Sequence, residues 1–487
     1  MNIARRQPCK TELEAHPVPR SRSPRAPLNQ PMLMAVAFAG CLVAGAACSD
    51  ELVTEVPAGL SQEQLMDPES CRGCHATHYD EWSGSMHAYA SLDPVFLAMN
   101  ARGQRETGGE LGDFCVQCHA PMAHRLGLTT DGLNLDEVPA YAQGVTCYFC
   151  HTVASVDGAH NNPLTLSGDG VMLGGHLDPI PNTAHASSYS PHLDRDRPES
   201  AALCGSCHDI VTQRGVHLER TYSEWQASLF SHEVANQQQT CGSCHMPGRD
   251  DVAASYPDAP LRRVHGHQMV GVDVALTPFP MKSAQLSAIQ GALNTTVLAE
   301  MCVASLDGTN RITITLENMA AGHGWPSGSA PDRRGWVEVV ARDGDDSVLF
   351  SSGVVEDGQP VDSLEDPSLW QLRDFTYDED GEPAQFFWEV ASYVSTTLPA
   401  PTALSILDPA YTDPHRTQVY EFEGPAPDTV TMQVNLRPIG LEILEDLVQS
   451  GDLAPEIAAS MPTFTLGITQ MTWRASEGKP CIPEPPN

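Results

Sequence analysis

Five copies of one short motif, C-x-x-C-H, constrain this chain more than any other feature. They are Cys71-Arg72-Gly73-Cys74-His75, Cys115-Val116-Gln117-Cys118-His119, Cys147-Tyr148-Phe149-Cys150-His151, Cys204-Gly205-Ser206-Cys207-His208 and Cys241-Gly242-Ser243-Cys244-His245. Two thiols at this spacing can bond covalently to the two vinyl groups of a haem. The histidine that follows is then held beneath the iron as its proximal ligand. A zinc site would not require His directly after every second Cys, and a thiol–disulfide redox centre needs one motif rather than five. The pattern therefore predicts five haem c groups attached through Cys71, Cys74, Cys115, Cys118, Cys147, Cys150, Cys204, Cys207, Cys241 and Cys244. The irons would be ligated by His75, His119, His151, His208 and His245. A fold that meets this demand wraps short segments around cofactors, which then form much of the core.

The remaining five cysteines fall outside the motifs. Cys9 and Cys41 lie in an amino-terminal targeting segment. There, Arg20, Arg22 and Arg25 precede the uncharged run Met32–Ala47, which is too short for a membrane span of about 20 residues and ends in small residues. Residues 1–47 thus read as a signal peptide. The small residues before Cys48, with Ser49, Asp50 and Glu51 after it, resemble a bacterial lipoprotein signal, in which Cys48 would carry the lipid and attach the protein to a membrane. Export follows, to the periplasm or to the outer membrane or cell surface as a lipoprotein. Cys302 and Cys481 bracket the carboxyl-terminal region, and oxidising surroundings favour a disulfide between them.

Charge excludes one class of partner. With 27 Lys+Arg against 62 Asp+Glu the net charge is −35, so nucleic acid binding is not expected. Redox proteins, a donor and an acceptor, are the expected partners.

The pattern along the chain predicts an α+β protein. After a linker at 48–65, residues 66–300 form a pentahaem region, mainly helical or irregular, with short helices near 76–90, 220–230 and 285–300. Residues 301–487 carry no motif and turn to alternation. Strands are expected at 311–316, 336–340, 385–390, 418–422 and 429–434, a helix at 440–449, and a further strand at 463–473. Period two with turn residues between predicts an antiparallel β-sandwich-like domain. One internal echo stands out: Tyr79-Asp80-Glu81-Trp82-Ser83-Gly84-Ser85 precedes His87, and Tyr222-Ser223-Glu224-Trp225-Gln226-Ala227-Ser228 precedes His232.

The stretch CRGCHATHYDEWSGSMHAYASLDPVF, with FCVQCHAP, GVTCYFCHTV, ALCGSCHDI, TCGSCHMP and AGHGWPSG followed by DRRGWVEV, resembles the multihaem cytochromes related to cytochrome c five-fifty-four, the electron acceptor of hydroxylamine oxidoreductase. The likeness is greatest to larger bacterial members with an appended β domain. The resemblance implies distal iron ligands at His87, His185, His267 and His323. The fifth distal ligand is open among His232, His176 and His160, and His265 competes with His267. Met86, Met246 and Met269 compete poorly where His is plentiful. Arg262, Arg263, Arg333 and Arg334 are candidate partners for haem propionates. Bis-His haems imply electron transfer. The alternative is an oxidoreductase acting on a small nitrogen or sulfur compound at one open haem. Ammonia-forming nitrite reductases of this broad class use a C-x-x-C-K motif, which this sequence lacks.

Overall fold

The computed structural model describes residues 59–232 and 238–477. The predicted leader, Cys48 and Cys481 lie outside them. Cys302 is disulfide-bonded.

Several short helices in the motif-bearing half coincide with the motifs. The segments Cys147–His151 and Cys241–His245 are single turns, capped by Thr146 and Thr240, whose hydroxyls accept from the third helical N–H. Helices at Ala76–Ser83, Met86–Tyr89 and Thr221–Ala227 fall where they are expected, whereas the one expected near 285–300 runs Lys282–Leu293 and yields to the strand Val297–Leu306. The longest helix, Pro94–Glu106, escapes the sequence pattern. It is set by Asp93, which caps Val95 N–H, and by Pro94 in its first turn.

Two larger antiparallel sheets follow, beside the two-stranded pair Asp374–Tyr377 with Ser392–Ser395. One has three strands in the order His415–Glu423, Thr309–Asn318, Val297–Leu306. The other is built on Val348–Ser352, Arg334–Arg342, Thr429–Arg437 and Phe464–Thr465, with Gln371–Leu372 and Met471–Arg474 added at its sides. Alternation sets which face is covered: along Thr309–Asn318, Ile312, Ile314 and Leu316 are buried, while Arg311 points out to pair with Glu421. Ile312 and Ile314 share one core with Val337, Val339, Val430 and Val434 of the other sheet, which gives the sandwich-like packing. That core also takes in Val95, Ala98, Ile289 and Leu293 from the motif-bearing half, so buried apolar contacts run continuously across residue 300. A second cluster around Phe96, Val116, Tyr148, Phe149 and Val153 lies among the first three motifs.

Two expected strands differ. Residues 385–390 form a turn. Glu389 folds back so that its carboxylate accepts from the N–H groups of Gln385 and Phe386, and Arg102 lies over the Phe386 ring at 4.2 Å. Local side-chain capping and a cation–π contact outweigh the β propensity there. The segment 463–473 is two short strands separated by a single turn at Gly467–Thr469.

Candidate haem centres

Four of the five motif histidines face a second imidazole contributed from far away in sequence. His75 faces His185, with ring centroids 6.4 Å apart. His151 faces His267 at 6.3 Å, His208 faces His87 at 6.1 Å, and His245 faces His323 at 6.4 Å. Two metal–imidazole bonds of about 2 Å each, placed end to end, fill such a gap once the half-width of each ring is added. The narrow spread over four separate pairs is what a common spacer requires.

The hydrogen bonds select which nitrogen is available. Nδ1 lies near a backbone carbonyl in His75 (Ala253, 2.7 Å), His151 (Leu173, 2.7 Å), His245 (Val270, 2.6 Å), His267 (His265, 2.9 Å) and His323 (Gly324, 2.7 Å). His185 Nδ1 lies 3.2 Å from the Ala186 carbonyl, and His87 Nδ1 lies 2.7 Å from Met269 Sδ. A proton on Nδ1 donating to these acceptors leaves the Nε2 lone pair for a metal. Burial pushes the imidazoles toward the neutral form: His208 falls to about 4, and His87 and His267 to about 3, with neighbouring imidazoles adding to the effect. Donor type, ring spacing and fixed tautomers all fit haem iron.

His119 stands apart. Among the described residues no imidazole faces it. Phe96 lies flat against its ring at 4.1 Å, with planes 1° apart, and Nδ1 is 3.3 Å from the Ala90 carbonyl. His232 is exposed, just past the single turn Leu229–Ser231, and pairs with no motif ring. Its counterpart His87 sits two residues after the echo's last serine, inside the helix Met86–Tyr89; His232 sits four residues after, which carries it outward. His265 lies beside the chosen His267 and offers its carbonyl to it. The four arginines expected to pair propionates are otherwise engaged where the structure gives a partner: Arg262 with Asp178, Arg333 with Asp273, and Arg334 with Glu442 and Asp362.

Thiols of different motifs meet. Cys71 lies beside Cys147, Cys118 beside Cys207 and Cys204 beside Cys241, and none of the ten forms a disulfide. Cys150 also lies near Cys204 and Cys207. Motif one therefore neighbours motif three, motif two neighbours four and four neighbours five, while the third and fourth lie within electrostatic range of each other. The sequence names these cysteines but carries no signal for their neighbours, which lie 37 to 89 residues away along the chain.

A family model described as cytochrome c554 and c-prime matches residues 70–152, the segment of the first three motifs. A penta-haem cytochrome c552 from Thermochromatium tepidum shares the fold, with a TM-score of 0.55 at 21% identity, covering 83% of this chain and 98% of that one. A Mu homology domain of Fcho1 from Danio rerio, at 9% identity over 46% of this chain and 64% of its own, has a TM-score of only 0.12 and carries no argument. No curated protein matches in sequence. Five C-x-x-C-H motifs, four facing histidine pairs, a family match over the first three motifs and a fold shared with that cytochrome support a multihaem c-type cytochrome.

Proposed function

We propose that the protein is an exported pentahaem cytochrome c that relays electrons between a donor and an acceptor protein through one connected cluster of haems, four of them ligated by two histidines. The ring pairs carry this reading. They would close four irons to substrate, leaving those haems only electron exchange, and each motif has a cysteine beside one of another motif. Haem supplies a one-electron couple whose potential the ligands, burial and nearby charge set. The chain's own residues would fix the tautomer of most of these imidazoles through hydrogen bonds at Nδ1, leaving Nε2 for iron. Export, with a lipid on Cys48 as the membrane attachment, belongs to the same proposal and rests on the amino-terminal sequence. Intact mass of the mature protein tests both parts: five haem masses that survive acid–acetone extraction, with or without the mass of a lipid at Cys48.

A second reading is favoured by one observation, the unpaired His119. An iron bound there would keep a free coordination position, and a small nitrogen or sulfur compound could bind and exchange electrons with the cluster. Carbon monoxide binding by the reduced protein distinguishes the two. One molecule per chain, together with turnover of hydroxylamine or nitrite, supports the second reading; no binding leaves electron transfer alone.

A further inference from the structure

The echo Y-x-E-W-x-x-S marks two copies of one structural unit, and each copy does the same three things. Its tryptophan reaches the approach to another motif: Trp82 Nε1 donates to Val145 O at 2.8 Å and Trp225 Nε1 to Gln239 O at 2.8 Å, each carbonyl lying two residues before the first cysteine of that motif, Cys147 or Cys241. The motif that opens the unit lies beside that same second motif at one cysteine pair, Cys71 by Cys147 and Cys204 by Cys241. Its glutamate then grips the loop that presents the second motif's distal histidine. Glu81 Oε2 accepts from His267 N–H at 2.9 Å, and His267 faces His151. Glu224 Oε2 accepts from Gly324 N–H at 3.0 Å and from the Ser327 hydroxyl at 2.9 Å, and Gly324 follows His323, which faces His245.

We infer that Glu81 and Glu224 are equivalent positioning residues, each fixing by a carboxylate–backbone hydrogen bond the loop that delivers a distal histidine, His267 to the third motif and His323 to the fifth. The inference rests on the pentahaem reading. Side-chain carboxylates accepting from backbone N–H make charge-assisted bonds, stronger than neutral ones. Here each bond crosses 100 or more residues, from a helix fixed beside one motif to a loop serving another. Arg249 orients Glu81 from its other oxygen at 2.8 Å, and Arg220 stands 3.7 Å from Glu224. The fit at the second site is close: a Cβ at Gly324 would lie 2.9 Å from Glu224 Oε2. The unit is not a simple tandem copy, because the hairpin Ile210–Val211 with His217–Glu219 is inserted between His208 and Tyr222, whereas Tyr79 follows His75 directly.

The test counts irons that bind carbon monoxide in the reduced holoprotein. Glu81→Ala and Glu224→Ala are each expected to add one binding iron per chain over the parent, and the double variant two. Glu81→Gln and Glu224→Gln keep an acceptor oxygen and are expected to match the parent. Should an alanine variant fail to accumulate, Glu→Asp at the same position withdraws the oxygen while keeping the charge, and is expected to give the same gain. Unchanged stoichiometry in the alanine or aspartate variants overturns the inference, as does a glutamine variant as defective as the alanine one. A parent protein carrying other than five haems by mass overturns the pentahaem reading instead, which keeps the two failures distinct.

Discussion

Gly205, the first spacer residue of the fourth motif, offers the sharpest local prediction. A Cβ built there would lie 2.5 and 2.6 Å from Tyr222 Cδ2 and Cδ1 and nearer still to Cγ. Carbon atoms rest at about 3.5–4.0 Å, so the ring would have to retreat by roughly 1 Å. It cannot do so freely, since it packs against Trp225 with centroids 5.7 Å apart. Overpacking of this kind costs about 1–3 kcal/mol. Alanine recovers about 0.5–1 kcal/mol of helix propensity, because Gly205 ends the helix Pro198–Gly205. Gly205→Ala should therefore destabilise the holoprotein by about 1–2 kcal/mol. The assay is guanidinium unfolding followed by far-UV circular dichroism, read as a lowered midpoint at unchanged slope. Gly73→Ala is the matched control: its Cβ meets nothing within 4 Å, and its backbone (φ −59°, ψ −29°) is already helical. It should leave the midpoint where it is or raise it slightly. A Gly205→Ala protein as stable as Gly73→Ala would refute the packing argument.

Other outcomes follow from single sites. Glu219 is surrounded by protein apart from a partly exposed edge, and burial pushes its carboxyl up to about 7, with Arg333 pulling the other way and Asp332, Asp273 and Asp209 adding to the rise. Its folded value exceeds the unfolded one, so its favourable contribution is complete below about pH 4.5 and is lost as pH rises through about 7. Glu219→Gln should then be more stable than the parent above pH 7, on the order of 1–3 kcal/mol, as melting temperatures across pH would show. Thr240→Ala removes the buried hydroxyl that accepts from Ser243 N–H at 3.1 Å and should lower stability by about 1 kcal/mol in the same unfolding assay. His232→Ala should leave the ferric electron paramagnetic resonance spectrum unchanged, because that exposed ring faces no motif histidine.

What the sequence discloses here depends on distance along the chain. The attachment motifs are local: five residues hold all the chemistry, so His75 to His245 can be named from spacing alone. Strands such as Thr309–Asn318 and Thr429–Arg437 are also local patterns, because burial on one face forces alternation. The facing partners are not local. His87 serves His208 and His185 serves His75, over 121 and 110 residues, and nothing in the spacing of histidines says which ring meets which; only resemblance pointed to those positions. The echo around Trp82 and Trp225 is visible as letters. The role of its glutamates is not, since their acceptors are used by backbone N–H groups, which every residue has. Residues 385–390 show the opposite failure, where a strand-like pattern gives way to one carboxylate folding back on two amides.

Electron paramagnetic resonance of the oxidised holoprotein, with spins counted against a haem total from mass, tests the central arrangement directly. Four low-spin irons and one high-spin iron per chain are expected from four facing histidine pairs and a solitary His119. Two or more high-spin irons would show that imidazoles facing each other across 6.1–6.4 Å do not share a metal, and the account would fail there.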